Sequence, residues 1–286
     1  MATNGKGLVM GGHDGPLLPD GVVAPILTPF EADLSVSHDR LVAHAQRVLN
    51  EGCVGLAVFG TTGEALSVAT REREAALEAL VAGGIDPGVM IVGTGVTNLP
   101  GTVHLTRHAM ELGCRACMVL PPFYFKDPDP EGLFRHFAGL VERIGDDRLR
   151  IMLYHIPQVA GVGLPVPLVS RLRAEFPEVV VAIKDSSGDW ANTEALFGID
   201  GLTVAQIGSP SLRARRRFWV GMAGYSCMSR RKARTPSMAT SAAGRPPEMC
   251  RRITSATGPA LTLAVAVMQP GPPRSRASSR GISAPG

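Results

Sequence analysis

Short runs of uninterrupted apolar residues recur along the first two hundred positions, each followed by a longer amphipathic stretch, and this alternation limits the possible folds more than any other feature. A strand with one wet face alternates apolar and polar residues, whereas these runs do not; Val54 to Phe59, for example, reads Val-Gly-Leu-Ala-Val-Phe. Continuous apolar strands are buried on both faces, which means a parallel sheet covered by helices, either doubly wound or closed as a barrel. The strand candidates are Gly21 to Leu27, Val54 to Phe59, Val89 to Val92, Ala116 to Leu120, Arg150 to Tyr154, Val179 to Lys184 and Leu202 to Ile207. Helices are expected between them at His38 to Glu51, Arg71 to Ala82, Gly101 to Leu112, Glu131 to Ile144, Val166 to Glu175 and Trp190 to Phe197.

The pattern stops after the seventh strand candidate. Residues 208–286 carry the run Arg213-Ala214-Arg215-Arg216-Arg217 with scattered Pro and Ser, and show no strand–helix pair, a composition expected of disorder. Charge divides at the same point. Of 29 Lys and Arg residues 14 lie after residue 207, but of 25 Asp and Glu only Glu248 does, leaving 15 bases against 24 acids before it. The net +4 of the chain therefore belongs to its end, and the first 207 residues are net −9. Such an abrupt gain of Arg, Pro and Ser with loss of acids is what a GC-rich gene read in a shifted frame produces, so a frame change near residues 205–210 is one expectation for 208–286. The chain thus divides into a flexible N-terminus (1–20), an α/β domain (21–207) and an Arg/Pro/Ser-rich tail (208–286).

Five cysteines in 286 residues are few and odd in number, which argues against a disulfide framework and for a reducing cytoplasm. Residues 1–20 lack the basic start and apolar run of a signal peptide, and the apolar stretch Ala260 to Met268 is too short to span a bilayer. No membrane or nucleic-acid partner is expected, because the arginine run has no aromatic platform around it. Salt-dependent binding lost with residues 208–286 would reverse the second of these expectations.

Three groups of residues could carry chemistry, all at the C-terminal ends of strands. In Ile183-Lys184-Asp185-Ser186-Ser187-Gly188 a lysine ends an apolar run. Apolar walls disfavour an ammonium, so an amine held there is available to attack a ketone; read alone, the same lysine equally opens a solvated loop. Gly60-Thr61-Thr62-Gly63-Glu64 follows strand two, and its amides and hydroxyls suit a carboxylate or phosphate, although many such turns bind nothing. Tyr154-His155-Ile156-Pro157 ends strand five; Tyr154 could exchange protons or pack as a rim aromatic, and His155, pointing the other way, reads as structural.

Together these segments resemble the dihydrodipicolinate synthase/N-acetylneuraminate lyase family of class I aldolases. The resemblance runs through Thr28-Pro29-Phe30, Gly60 to Glu64, Pro122-Phe123-Tyr124, Tyr154 to Gly161 and Ile183-Lys184. It implies an α/β fold, a (β/α)8 TIM barrel, apparently incomplete here after strand seven. By the same resemblance Lys184 forms a Schiff base with pyruvate or another 2-oxo acid, Tyr154 relays protons, and Thr61 joins Tyr154 to Tyr124. Thr62, with Gly60, Gly63 and, after strand seven, Gly208, would hold the substrate. No metal or organic cofactor is implied. In the synthases the equivalent of Tyr124 crosses a dimer interface, so a homo-oligomer is implied too. One departure bears on substrate. The synthases read Tyr-Asn-Val-Pro-x-Arg-x-Gly, where Val159 here replaces an arginine that binds a second carboxylate. Valine makes no ion pair, which disfavours aspartate semialdehyde and favours a 2-oxo-3-deoxy sugar acid. An inactive or sensory relative that still binds 2-oxo acids, compromised by loss of the eighth strand, is the alternative reading.

Two further patterns read as packing or surface. Cys114-x-x-Cys117 lacks a second pair for a metal site. His104 and His108 lie one helical turn apart without the glutamate of a metalloprotease motif.

Overall fold

A computed structural model describes residues 21–207 and a four-residue strand at 265–268. The apolar runs form the staves of a closed barrel. β1 (Val22–Pro25), β2 (Gly55–Val58), β3 (Met90–Gly93), β4 (Ala116–Val119), β5 (Ile151–His155), β6 (Val180–Asp185) and β7 (Thr203–Ile207) pair in chain order, each parallel to the one before. Their lack of polar alternation follows from this geometry. One set of side chains, including Leu56, Val92, Val119, Leu153 and Ile183, packs outward in one apolar cluster with the helices. The other set, including Val23, Ala57, Ile91, Met118, Met152, Ala182 and Ala205, fills the barrel interior.

The principal covering helices are α1 (His38–Asn50), α2 (Thr70–Ala82), α3 (Leu99–Glu111), α4 (Pro130–Ile144), α6 (Val166–Glu175) and α7 (Trp190–Leu196), with a one-turn α5 (Pro157–Ala160) after β5. α1 buries Leu41, Ala45 and Val48, spaced to share one face. α3 begins two residues earlier than its apolar pattern predicts. Asn98 caps it, Oδ1 accepting from the Gly101 amide at 2.7 Å, and Pro100 occupies the first turn, where no amide proton is needed. Asp189 caps α7 in the same way, accepting from the Ala191 amide at 2.9 Å.

The eighth position departs from expectation. The sheet is not left open after β7: β8 (Val265–Met268) lies between β7 and β1, antiparallel to both. It comes from the apolar stretch weighed above only as a membrane span. Closure needs a strand that supplies backbone donors and acceptors to both edges, and a short apolar segment of either direction can do so. The remainder of 208–286, including the expected disorder, and residues 1–20 lie outside the described residues.

One glycine is fixed by close approach. A Cβ added at Gly93, the end of β3, would stand 1.9 Å from the Phe59 carbonyl oxygen at the end of β2. Gly93→Ala is therefore expected to cost about 2 kcal/mol or more, since a backbone group has to move. Thermal unfolding followed by circular dichroism checks this, with a drop in Tm of about 5 °C or more expected.

Candidate active site

The turn after β2 is held by its own backbone and by a side chain from the loop after β1. Phe59 takes φ 55° and Glu64 φ 49°, both in the left-handed region, which folds Gly60–Glu64 back over the strand end. The amides of Glu64 and Ala65 donate to the carbonyls of Thr61 and Gly60 at 3.1 and 3.3 Å, and a 3₁₀ turn, Ala65–Ser67, follows. Thr28, just beyond β1, donates through Oγ1 to the Gly63 carbonyl at 2.6 Å. The first of the recognised motifs thus fastens the second.

On the opposite wall, β5 and β6 pair with Tyr154 beside Lys184. Both side chains are 2% exposed, and the Lys184 Nζ stands 4.3 Å from the Tyr154 ring centroid. Ala205 of β7 is the neighbour of Lys184 on its other side, and Ala182 shares its strand face. Among the described residues no carboxylate pairs with this amine. The Tyr154 hydroxyl meets Thr61 Oγ1 at 3.2 Å, so the turn and the strand pair converge on one hydrogen bond.

Beside that bond opens a cavity of about 190 Å³, large enough for a small organic acid. Phe59, Gly60, Thr61, Met118, Leu120 and Tyr154 contribute to its lining. Thr62, half-buried, and Gly63, buried, belong to the same turn without lining the cavity, and Lys184 sits against the Tyr154 ring rather than in the lining. Tyr124 is not brought to the others. It is 73% exposed on the loop after β4, edge-on to Phe125 at 5.1 Å, and no hydrogen bond joins it to Thr61 among the described residues. Gly208 lies outside the described residues.

The model of the dihydrodipicolinate synthetase family matches residues 18–200. The chain belongs to that family. An uncharacterized DapA-like lyase of Chloroflexus aurantiacus is 38% identical over 200 residues, 69% of this chain and 66% of that protein. The solved dihydrodipicolinate synthase from Agrobacterium tumefaciens is 40% identical with a TM-score of 0.62, covering 64% of this chain and 65% of that one. The chloride-inhibited dihydrodipicolinate synthase from Acinetobacter baumannii, solved with pyruvate, is 30% identical with a TM-score of 0.59, over 65% of this chain and 62% of that one. The chain thus spans about two thirds, or less, of the length of these relatives.

Two residues, each following a member of the Tyr154–Lys184 pair, complete the frame of the site. His155 points away from the cavity. Its Nδ1 accepts from the Leu164 amide at 2.9 Å, and burial lowers its pKa against the opposing pull of Asp185 and Asp189, so it is a neutral structural residue as expected. Asp185 faces outward as well. Burial alone would raise its pKa, but donors from Thr193 at 2.7 Å, the Ser187 amide at 2.9 Å and Asn192 at 3.0 Å outweigh that and hold it below the usual carboxylate range. The residue after Lys184 is therefore pinned to α7. Its type and its place next to Lys184 were visible in the sequence, but its partners, seven and eight residues on, were not.

The patterns set aside earlier behave as packing. Burial pushes the Cys114 thiol up to about 12 and raises Cys117 further, so neither offers a ready thiolate. His104 and His108 of α3 meet Glu74 and Glu78 of α2 at 2.6 and 3.0 Å, an inter-helix ladder. No group of three or more His, Cys, Asp or Glu that could hold a metal occurs among the described residues. No described helix is long and apolar enough to cross a membrane.

Proposed function

We propose that this chain is a class I lyase in which the Lys184 amine condenses with the ketone of a 2-oxo acid and a bond beyond the imine is broken or made. The observation that carries this reading is a buried amine 4.3 Å from the ring of a tyrosine whose hydroxyl is already bonded to the Gly60–Glu64 turn. In the forward cleavage, Nζ attacks the C2 carbonyl and water leaves as the imine forms. Tyr154 gives and takes the protons of these steps, passing them through Thr61. Breaking the bond between C3 and C4 then releases an aldehyde and leaves an enamine, which is protonated at C3 and hydrolysed to pyruvate and free lysine. Thr62 and the amides around Gly60 and Gly63 are suited to the substrate carboxylate. That a similar enzyme from Acinetobacter baumannii was solved with pyruvate supports the donor class.

For the second half of the substrate, Val159 supports one class over another. It lies on α5 at the barrel mouth, 61% exposed, and offers no charge to an acceptor carboxylate. A 2-oxo-3-deoxy sugar acid, whose distal end carries hydroxyls, fits such a rim. Tyr124 is 73% exposed and does not reach Thr61 of its own chain, which is compatible with its serving the relay of a second copy, so a homo-oligomer is part of the proposal.

Borohydride with pyruvate is the test. One pyruvate-derived mass fixed on the peptide containing Lys184 is expected, and no incorporation at all would end the reading. Tyr154→Phe should still be trapped, while pyruvate release from a panel of 2-oxo-3-deoxy acids falls by roughly 10²-fold or more. Trapping without cleavage of any acid in the panel would favour the second reading, a binding relative.

A further inference from the structure

Against the 3₁₀ turn that follows Gly60–Glu64 lies a cation that no catalytic motif includes. Arg73, in the first half of α2, is 5% exposed although arginine is rarely buried without a carboxylate. Its Nε donates to the Val68 carbonyl at 3.2 Å and its Nη2 to the Ala65 carbonyl. Its Nη1 is buried and without a partner among the described residues. No described acid forms an ion pair with it, and burial alone accounts for the lowering of its pKa, with no carboxylate contributing. Arginine nevertheless stays charged at such sites, so a full positive charge is held in a poorly solvated place.

Its position gives that charge a use. Ala65, whose carbonyl it grips, donates its own amide to the Gly60 carbonyl at 3.3 Å and lines the cavity with Gly60 and Thr61. The guanidinium is therefore one residue removed from the turn proposed to receive the substrate carboxylate. A buried charge is screened far less than a surface one, and it favours an anion nearby.

We propose that Arg73 is the positioning residue that makes the Gly60–Gly63 turn selective for a carboxylate, by holding its supporting 3₁₀ turn and by placing an unpaired positive charge behind it. This rests on the reading of Lys184 as an imine-forming amine. The two can fail separately if two ketones are compared, pyruvate and its uncharged methyl ester, each trapped on the full-length protein with cyanoborohydride.

Wild-type protein should trap both, with half-maximal labelling at a lower concentration of pyruvate than of the ester. In Arg73→Met the concentration required for pyruvate should rise tenfold or more, while that for the ester changes less than threefold. Arg73→Lys, which keeps the charge but loses the paired grip, should retain the preference for pyruvate to within about threefold of wild type. If Arg73→Met weakens both ketones equally, or neither, the proposal is wrong and Arg73 is merely structural. If Arg73→Met does not fold, Arg73→Lys still decides: loss of the preference by more than tenfold with the charge present overturns it. Should the wild type trap neither ketone, the imine reading itself fails.

Discussion

Lys184→Met is expected to leave a folded, soluble protein that no longer fixes pyruvate under borohydride and whose pyruvate release falls by roughly 10³-fold or more, as loss of a nucleophile does elsewhere. Methionine nearly matches the lysine in volume, and the site is already apolar, with Ala182, Ala205 and the Tyr154 ring around it. Removing a buried amine that has no carboxylate partner among the described residues leaves no counter-charge stranded, so stability should hold or rise slightly. Circular dichroism and Tm would establish that, and mass spectrometry of the trapped peptide would establish the loss. The only other lysine among the described residues is Lys126. Its Nζ donates to the Phe123 and Ala160 carbonyls at 2.5 and 2.9 Å, fastening the β4 loop to α5, which leaves it badly disposed to act as a nucleophile. Undiminished labelling of Lys184→Met, on any lysine, would defeat the assignment.

What the sequence revealed of this site was whatever lies on a strand end. A lysine closing an apolar run and a tyrosine closing the run before it must share a mouth if the strands are parallel neighbours, and they do, residue opposite residue. The Thr61 contact follows once the strand-two turn is placed on the same rim. Arg73 was not legible, because a charged residue at the start of an amphipathic helix reads as solvated; only the fold of the turn over α2 shows that it is covered. The same holds for Thr28, whose role depends on a carbonyl 35 residues away. Tyr124 was named by resemblance alone, and within one chain it stands 73% exposed on the loop after β4, so no local pattern could have tied it to Thr61. The closing strand was missed for a different reason. A (β/α) pattern prompts a search for a strand parallel to its neighbours, and β8 runs antiparallel to both of its own.

That strand carries the second large expectation. Val267→Pro, or removal of residues 265–286, should convert the protein to an aggregating species even though every proposed catalytic residue remains. β8 is paired at two positions with β1 and at four with β7. A strand flanked on both sides directs each amide to one neighbour or the other, so proline at 267, opposite Ala205, removes a bond and its ring displaces the backbone. At about 1 kcal/mol per net backbone hydrogen bond, losing the whole strand removes roughly 4–6 kcal/mol. That is comparable to the entire stability of an ordinary domain, roughly 5–15 kcal/mol. The uncovered edges of β1 and β7 then template association between chains. The site fails with the edge, because Ala205, the neighbour of Lys184, lies on β7, and Thr28, the anchor of the Gly63 carbonyl, follows β1. Static light scattering with thermal melts distinguishes the outcomes: a monodisperse Val267→Pro with an unchanged Tm would show that the barrel does not depend on this strand, and the closure described here would lose its energetic meaning.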